Sequence, residues 1–342
     1  MKKSIFFLFL ASCCSFSTAC AQNLIALQHN GAASFFTTIP DAVTAAVSGD
    51  TIFLPGGSFL AFNIDKKLAI IGVGHNPDST AATGMTLISG TISFGNGDCD
   101  GSVLTGLRVN GEINSSGLDN DNVQISRCFI ISGITPNGNG SGGSENWTIS
   151  ECFFPTIQFI KNSFVSNNLI AHFILNAQDC QIENNAFLYD AYLPIVGNSC
   201  MVKNNIFNFV TDCCVSGQQI SNSLFDNNIW SSGSLPNGVF GTGNIGTGNI
   251  NDPNFDGLFT NFSYTTYTGN INNPYPFDFH LVNAAYNTGG TNGTPIGIYG
   301  GTFPWKDGSL PFNPHILFKS IGNSTDQNGN LLINIHVEAQ DH

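Results

Sequence analysis

Basic groups able to remove a proton or anchor a carboxylate are scarce in this chain, with eight lysines and two arginines among 342 residues. A base working beside a uronate needs such a cation, or a bound calcium, to hold the carboxylate. Arg108, with Glu112 four residues on, is the candidate for that role. Arg127 and Glu151, and Lys203 with Glu183 and Asp226, fall at matching places in a repeat described below. That placement favours cross-strand charge pairs on the surface over catalysis. Asp119 and Asp121, in Leu118-Asp-Asn-Asp-Asn122, suit either a calcium-binding turn or a solvated loop. Asp98 and Asp100, in Asn96-Gly-Asp-Cys-Asp-Gly101, begin like an EF-hand loop, but Leu107 stands where its twelfth-position Glu belongs.

Other chemistries find little support. The seven histidines are scattered, and no H-x-H or H-E-x-x-H pattern, phosphate loop or Gly-x-Ser-x-Gly elbow occurs. Tyr189 and Tyr192, in Leu188-Tyr-Asp-Ala-Tyr192, sit in a predicted turn where their rings could stack on a sugar. Phe dominates the aromatics, with 29 residues against 7 Tyr and 3 Trp, which suits a core more than a sugar platform. A formal net charge of −13 excludes nucleic-acid binding by phosphate neutralisation.

The start of the chain reads as an export signal. Lys2 and Lys3 precede a short apolar run from Ile5 to Phe16, and Ala19-Cys20-Ala21 is an A-x-A site with cleavage after Ala21. A lipoprotein acylated at Cys20 is the alternative, although Ser17-Thr18-Ala19 lacks the usual Leu. No later stretch is long and apolar enough for a transmembrane segment. Seven cysteines follow the signal, so an exported chain keeps at least one free thiol or an intermolecular bridge.

The elements that must position any site come from a repeat. Apolar residues make up 42% of the chain, enough for a large core, while 42 Asn and 38 Gly disfavour helices and suit turns. Six segments share the form apolar-x-x-(Cys or Asn)-x-(large apolar): Ile125 to Ile130, Ile149 to Phe154, Val165 to Ile170, Ile182 to Phe187, Val202 to Phe207 and Phe225 to Trp230. Leu104 to Val109 is a degenerate earlier copy. The starts lie 24, 16, 17, 20 and 23 residues apart, as in coils whose strands are fixed while their turns vary. The expected fold is all-β, a right-handed parallel β-helix in which stacked coils share one core. Cys128, Cys152, Asn168, Asn185, Asn205 and Asn228 then stack as a structural ladder at one turn, with Cys180 and Cys200 sharing a second slot. A buried Asn ladder bonds to its neighbours and to freed backbone groups, and Cys fits the same slot as a small apolar residue. The segment Ser231 to Tyr275, with its tandem Gly-Thr-Gly-Asn-Ile, reads as long turns or an extension on irregular late coils.

Asp41 to Val47 forms a short amphipathic helix able to cap the first coil, followed by Ser48-Gly49-Asp50-Thr51-Ile52 and Leu54-Pro55-Gly56-Gly57-Ser58-Phe59. This run resembles the start of the pectate-lyase-like superfamily. Asp278-Phe-His280-Leu, Asn287-Thr-Gly289 and Ile296 to Gly301 resemble the last coils of secreted bacterial β-helix proteins. The expected organisation is a signal at 1–21, a β-helix at 22–303 and a C-terminal linker and strand at 304–342. The resemblance implies association with extracellular polysaccharide, bound or cleaved along a lateral groove. Two alternatives stand beside it: a non-catalytic surface or adhesion protein, and a calcium-assisted polysaccharide lyase. If the chain is an enzyme, a lyase precedes a glycoside hydrolase, because the Gly-His-Gly and Arg-x-Lys motifs of β-helix polygalacturonases are missing. Calcium is the one cofactor considered, and a monomer is expected.

Overall fold

From Gly101 onward each coil turns two corners on left-handed backbone, and that requirement explains much of the Asn and Gly content. In the computed structural model Gly106, Arg127, Glu151, Asn167, Asn184, Asn204, Asn227 and Gly248 stack at one corner with φ between 50° and 70°. At the other corner Gly101, Asn122, Asn146, Asn162, Asp179, Ser199, Asn222 and Gly243 have φ between 46° and 76°. Gly and Asn enter this region at the least cost. The structure describes residues 24–95, 98–137, 143–188, 194–208, 219–230, 241–252, 254–264, 267, 274–309 and 314–339.

The residue after each corner supplies the bond that holds one coil to the next. The Asn168, Asn185, Asn205 and Asn228 side-chain oxygens accept the backbone N–H of Cys152, Asn168, Asn185 and Asn205 at 2.9–3.0 Å. Each Asn amide donates back to a strand carbonyl, as Asn185 does to Val165 O at 2.9 Å. Cys128 N–H points at Cys152 Sγ, 3.4 Å away. The file continues to Asn249, whose Oδ1 accepts from Asn228 N at 3.0 Å. The second corner carries a parallel file, in which Cys200 N donates to Ser223 Oγ at 2.9 Å and Ser223 N to Asn244 Oδ1 at 3.0 Å. The tandem pentapeptide is therefore not a loose turn. Gly243-Asn244 and Gly248-Asn249 are the two corners of one further coil, and Ile250 pairs with Ile229.

Between the corners, short parallel strands close the solenoid. One sheet stacks Thr51–Phe53, Ala69–Ile71, Val103–Thr105, Gln124–Ser126, Thr148–Ser150, Phe164–Ser166, Gln181–Glu183, Met201–Lys203 and Leu224–Asp226. The other contains Arg108–Val109, Phe129–Ile130, Phe153–Gln158, Leu169–Gln178, Ala186–Phe187, Ile206–Phe207 and Ile229–Trp230, and bends to include Thr86–Phe94, Glu112–Asn114 and Gly133–Thr135. Inward residues stack in like files. Phe187, Phe207 and Trp230 lie ring on ring at 4.7 and 4.5 Å. Ile92, Ile113, Ile134, Ile157, Ile174 and Ile195 form a buried isoleucine column beyond the bend.

The first coil is closed by α1 (Ile39–Ala45) and by the antiparallel pair Ile25–His29 and Ala32–Phe36. Thr38 caps the Asp41 N–H, Pro40 sits in the first turn, and Lys66 Nζ bonds the Val43 and Ala46 carbonyls at 3.0 and 3.1 Å. The C-terminal strand Leu331–Glu338 pairs antiparallel with His315–Thr325 in a separate, exposed hairpin. Among the described residues no helix is long and apolar enough to cross a membrane.

Candidate functional site

A β-strand with one wet face alternates apolar and polar residues, but one strand of this coil does not. Between the buried ladder position and the inward aromatic lie Phe129, Phe153, Leu169, Ala186, Ile206 and Ile229, which point outward and are nevertheless buried. A sheet apolar on both sides must be covered on both sides. The cover is the chain's own C-terminal segment, whose Leu258, Phe259, Phe262, Phe279, Leu281, Ile296 and Ile298 complete a second core. Asp278–Leu281 pairs antiparallel with Phe259–Asn261 as part of this cover, so it adds no parallel coil of the expected kind.

The left-handed corner holds the cover in place. Asn167 Nδ2 donates to Ile298 O and Gly300 O at 2.8 Å, and Asn184 Nδ2 to Gly297 O at 3.3 Å. Asn204 Oδ1 accepts from Thr291 N at 3.0 Å, and its carbonyl accepts from Gly297 N at 2.7 Å. At this corner Arg127 and Glu151 form an ion pair at 2.9 Å with side chains 1% and 6% exposed, which corrects the expectation of a surface pair. The cover runs past them, and the charge of Lys306 reaches Glu151. Burial pushes the Glu151 carboxyl up despite Arg127, and burial pulls Arg127 down despite Glu151.

Where the cover meets the early coils it leaves a cleft of about 230 Å³, lined by His75, Phe153, Leu169, Tyr275, Phe277, Asp278, His280, Tyr299, Trp305 and Asp307 among others. At its rim the His280 and Tyr299 rings stack at 3.8 Å. His280 Nδ1 lies 2.7 Å from Asp278 Oδ1, and Tyr299 OH donates to Asp307 Oδ1 at 2.9 Å. The Asp278 carboxyl is held low by the His280 backbone N–H and, further, by the ring beside it. Tyr299 is pushed up by burial and by the Asp307 charge. Trp305 and Asp307 come from the start of the stretch expected to be a C-terminal linker, which lies against the lateral face, with Gly308 beside Ser79.

His75 lies at the inner end and is 1% exposed. Tyr275 OH donates to His75 O at 2.6 Å, so at the 3.0 Å contact with His75 Nδ1 the phenol oxygen accepts. His75 therefore carries its proton on Nδ1. Nε2 is a bare acceptor with no hydrogen-bond partner among the described residues. Burial, aided by the Arg108 charge, lowers the His75 pKa to about 3.

Arg108 is the one sequence-predicted candidate that the fold brings near this cleft. It occupies the first outward position of the apolar row, with its guanidinium 4.8 Å from the Phe129 ring centre and Nε 3.4 Å from Asn110 Oδ1. Glu112 turns elsewhere, accepting from Asn114 Nδ2 at 3.0 Å and bonding Thr135. The aspartates lie at the far corner and bond backbone amides. Asp100 Oδ1 accepts Asp121 N at 2.8 Å, Asp121 Oδ1 accepts Glu145 N at 2.7 Å, and Asp119 bonds Gly143 N. Asp98 is exposed beside them. Among the described residues no three His, Cys, Asp or Glu side chains converge as a metal site requires. Tyr189 and Tyr192 lie outside the described residues, as do the signal segment with Cys20 and the cysteines Cys213 and Cys214. The described cysteines, Cys99, Cys128, Cys152, Cys180 and Cys200, are all buried.

His75, Trp305 and Asp307 do not stand out in the sequence, because they lie outside the repeat, and Asp278, His280 and Tyr299 do so only as part of the expected last coils. The available signal was the uniformly apolar fifth position of the six segments, which announces a covering element.

No protein-family model matches the chain, and no curated protein matches it. Two solved structures of the pectin methylesterase from Aspergillus niger, deglycosylated and penultimately deglycosylated, match at 11% identity, covering 62% of this chain and 82% of theirs. Their TM-scores are 0.19 and 0.20, too low to carry either fold or activity over to this chain.

Proposed function

We propose that this chain is an exported β-helix protein of the pectate-lyase-like type that binds a neutral extracellular polysaccharide through the cleft beneath its C-terminal cover. The observation that carries this reading is the rim. The stacked His280–Tyr299 pair and Trp305 offer flat apolar surface for a sugar ring, and Asp278 and Asp307 offer acceptors for its hydroxyls. The carboxylates at the rim and the net charge of −13 weigh against an anionic glycan unless calcium bridges it. A binding role suits the rim better than a lyase role, since Arg108 lies against Phe129.

The test uses the chain from Gln22 onward in gel retardation against neutral and acidic polysaccharides, with calcium and with chelator. Ultraviolet absorbance for unsaturated uronates and a reducing-end assay run in parallel. The expected result is retardation by a neutral glycan, weakened tenfold or more in Trp305→Ala and Tyr299→Ala, without turnover. Turnover dependent on calcium and Arg108 would replace this reading with the lyase. Silence in every assay would leave the surface or adhesion role.

A further inference from the structure

The cleft pairs aromatic walls with an acidic mouth. Tyr275, Phe277, Tyr299 and Trp305 line it, and each keeps part of its surface open: Phe277 is 38% exposed and the other three are half-buried. Tyr275, Tyr299 and Trp305 also pack against the second core, which holds their rings in place. The charged groups among the described lining residues are Asp278 and Asp307, with His280 beside them, and no lysine or arginine is among them. Of the neighbouring cations, Arg108 lies over Phe129 and the charge of Lys306 reaches Glu151. Each carboxylate already accepts a hydrogen bond, Asp278 Oδ1 from His280 N and Asp307 Oδ1 from Tyr299 OH, both at 2.9 Å. The mouth therefore offers negative charge more than a set of waiting acceptors.

Aromatic rings and a negative field together attract an organic cation, and a cation without N–H groups asks for no hydrogen bond in return. The volume of about 230 Å³ is below the roughly 300–1,000 Å³ of sites for drug-sized ligands, so it suits a headgroup. We propose that the cleft binds a quaternary ammonium group, with Tyr275, Phe277, Tyr299 and Trp305 around its methyls and Asp278 and Asp307 balancing its charge. Choline is the simplest bearer of that group. This ligand goes beyond the glycan reading and does not rest on it, because it answers the charge of the cleft, which a neutral sugar leaves unused.

Isothermal titration calorimetry of the full chain compares choline with two controls. Ethanolamine is a primary ammonium of the same charge, and neohexyl alcohol is the neutral isostere in which carbon replaces the nitrogen. Choline should bind at least tenfold tighter than either. Asp307→Asn keeps an oxygen for Tyr299 OH and removes the charge, and it should weaken choline fivefold or more, as should Trp305→Ala. Trp305→Ala can loosen the cover, in which case Asp307→Asn, on an exposed residue, decides alone. No choline binding overturns the proposal. So does equal binding of the neutral alcohol, equal binding of ethanolamine, or choline binding that neither variant weakens. Gel retardation by neutral polysaccharide is scored separately on the same preparations. Retardation without choline binding overturns this proposal alone, and choline binding without retardation overturns the glycan reading alone.

Discussion

Asn185 shows how one residue type can satisfy a whole corner. Its Oδ1 accepts from Asn168 N and Nδ2, and its own amide donates to Val165 O and to Asn205 Oδ1. Asn185→Leu keeps the volume and strands a buried N–H and a buried carbonyl, so it should cost roughly 2–4 kcal/mol, read as a lower urea midpoint. The Asn-Asn pairs were visible in the sequence as a repeat, but the two members do different work. The first supplies left-handed backbone and the second supplies bonds. Arg127 and Glu151 hold the first place too, and their charges were legible while their burial was not, because the segment that buries them lies about 150 residues downstream. His75 gives a pH dependence with a definite sign. Its native pKa of about 3 lies below the ordinary 6.5, so between those values the unfolded chain holds a proton that the native chain refuses. Its contribution is complete above about pH 6.5 and shrinks as pH falls, by up to about 1.4 kcal/mol per unit. Between pH 6.5 and 4.5 the change in urea midpoint should be more downward in wild type than in His75→Phe, the difference isolating this imidazole from carboxyls such as Glu151 that titrate in both.

At the scale of elements, the central coils follow from the six-residue pattern, whereas the first two coils, the last one and the covering segment do not. Residues 274–309 carry no repeat, and their fold is dictated by what they cover: an apolar row and a column of left-handed asparagines. Asn204→Gly isolates that docking, since Gly keeps the left-handed backbone and removes the side chain that accepts from Thr291. Limited proteolysis should then cut within 274–309 several-fold faster while the solenoid's far-ultraviolet spectrum is kept, and neutral-glycan affinity should fall with it. Equal cleavage rates would show that the second core alone retains the segment. The N-terminal helix was readable from its amphipathic run. The hairpin beside it was not, because Ala32–Phe36 is largely exposed and carries no burial pattern.

For the whole molecule, the architecture is two files of corner bonds joined by strands of nearly constant length and turns of any length. That division explains why the fold was legible and the site was not: the repeat fixes the core, and the cleft is built from the parts that escape it. It also gives the chain a mechanical character. Neighbouring coils are tied at the same corners, yet the successive starts from Ile125 to Phe225 are 24, 16, 17, 20 and 23 residues apart. Drawn out from the last coil under tension, the solenoid would come apart like knitting, each lost stitch paying out its own length of yarn. The shortest coil would release about 55 Å and the longest about 85 Å at full extension. Slack is thus stored unevenly along a scaffold whose rungs are otherwise alike, and the order of long and short releases would read out the sequence of its turns.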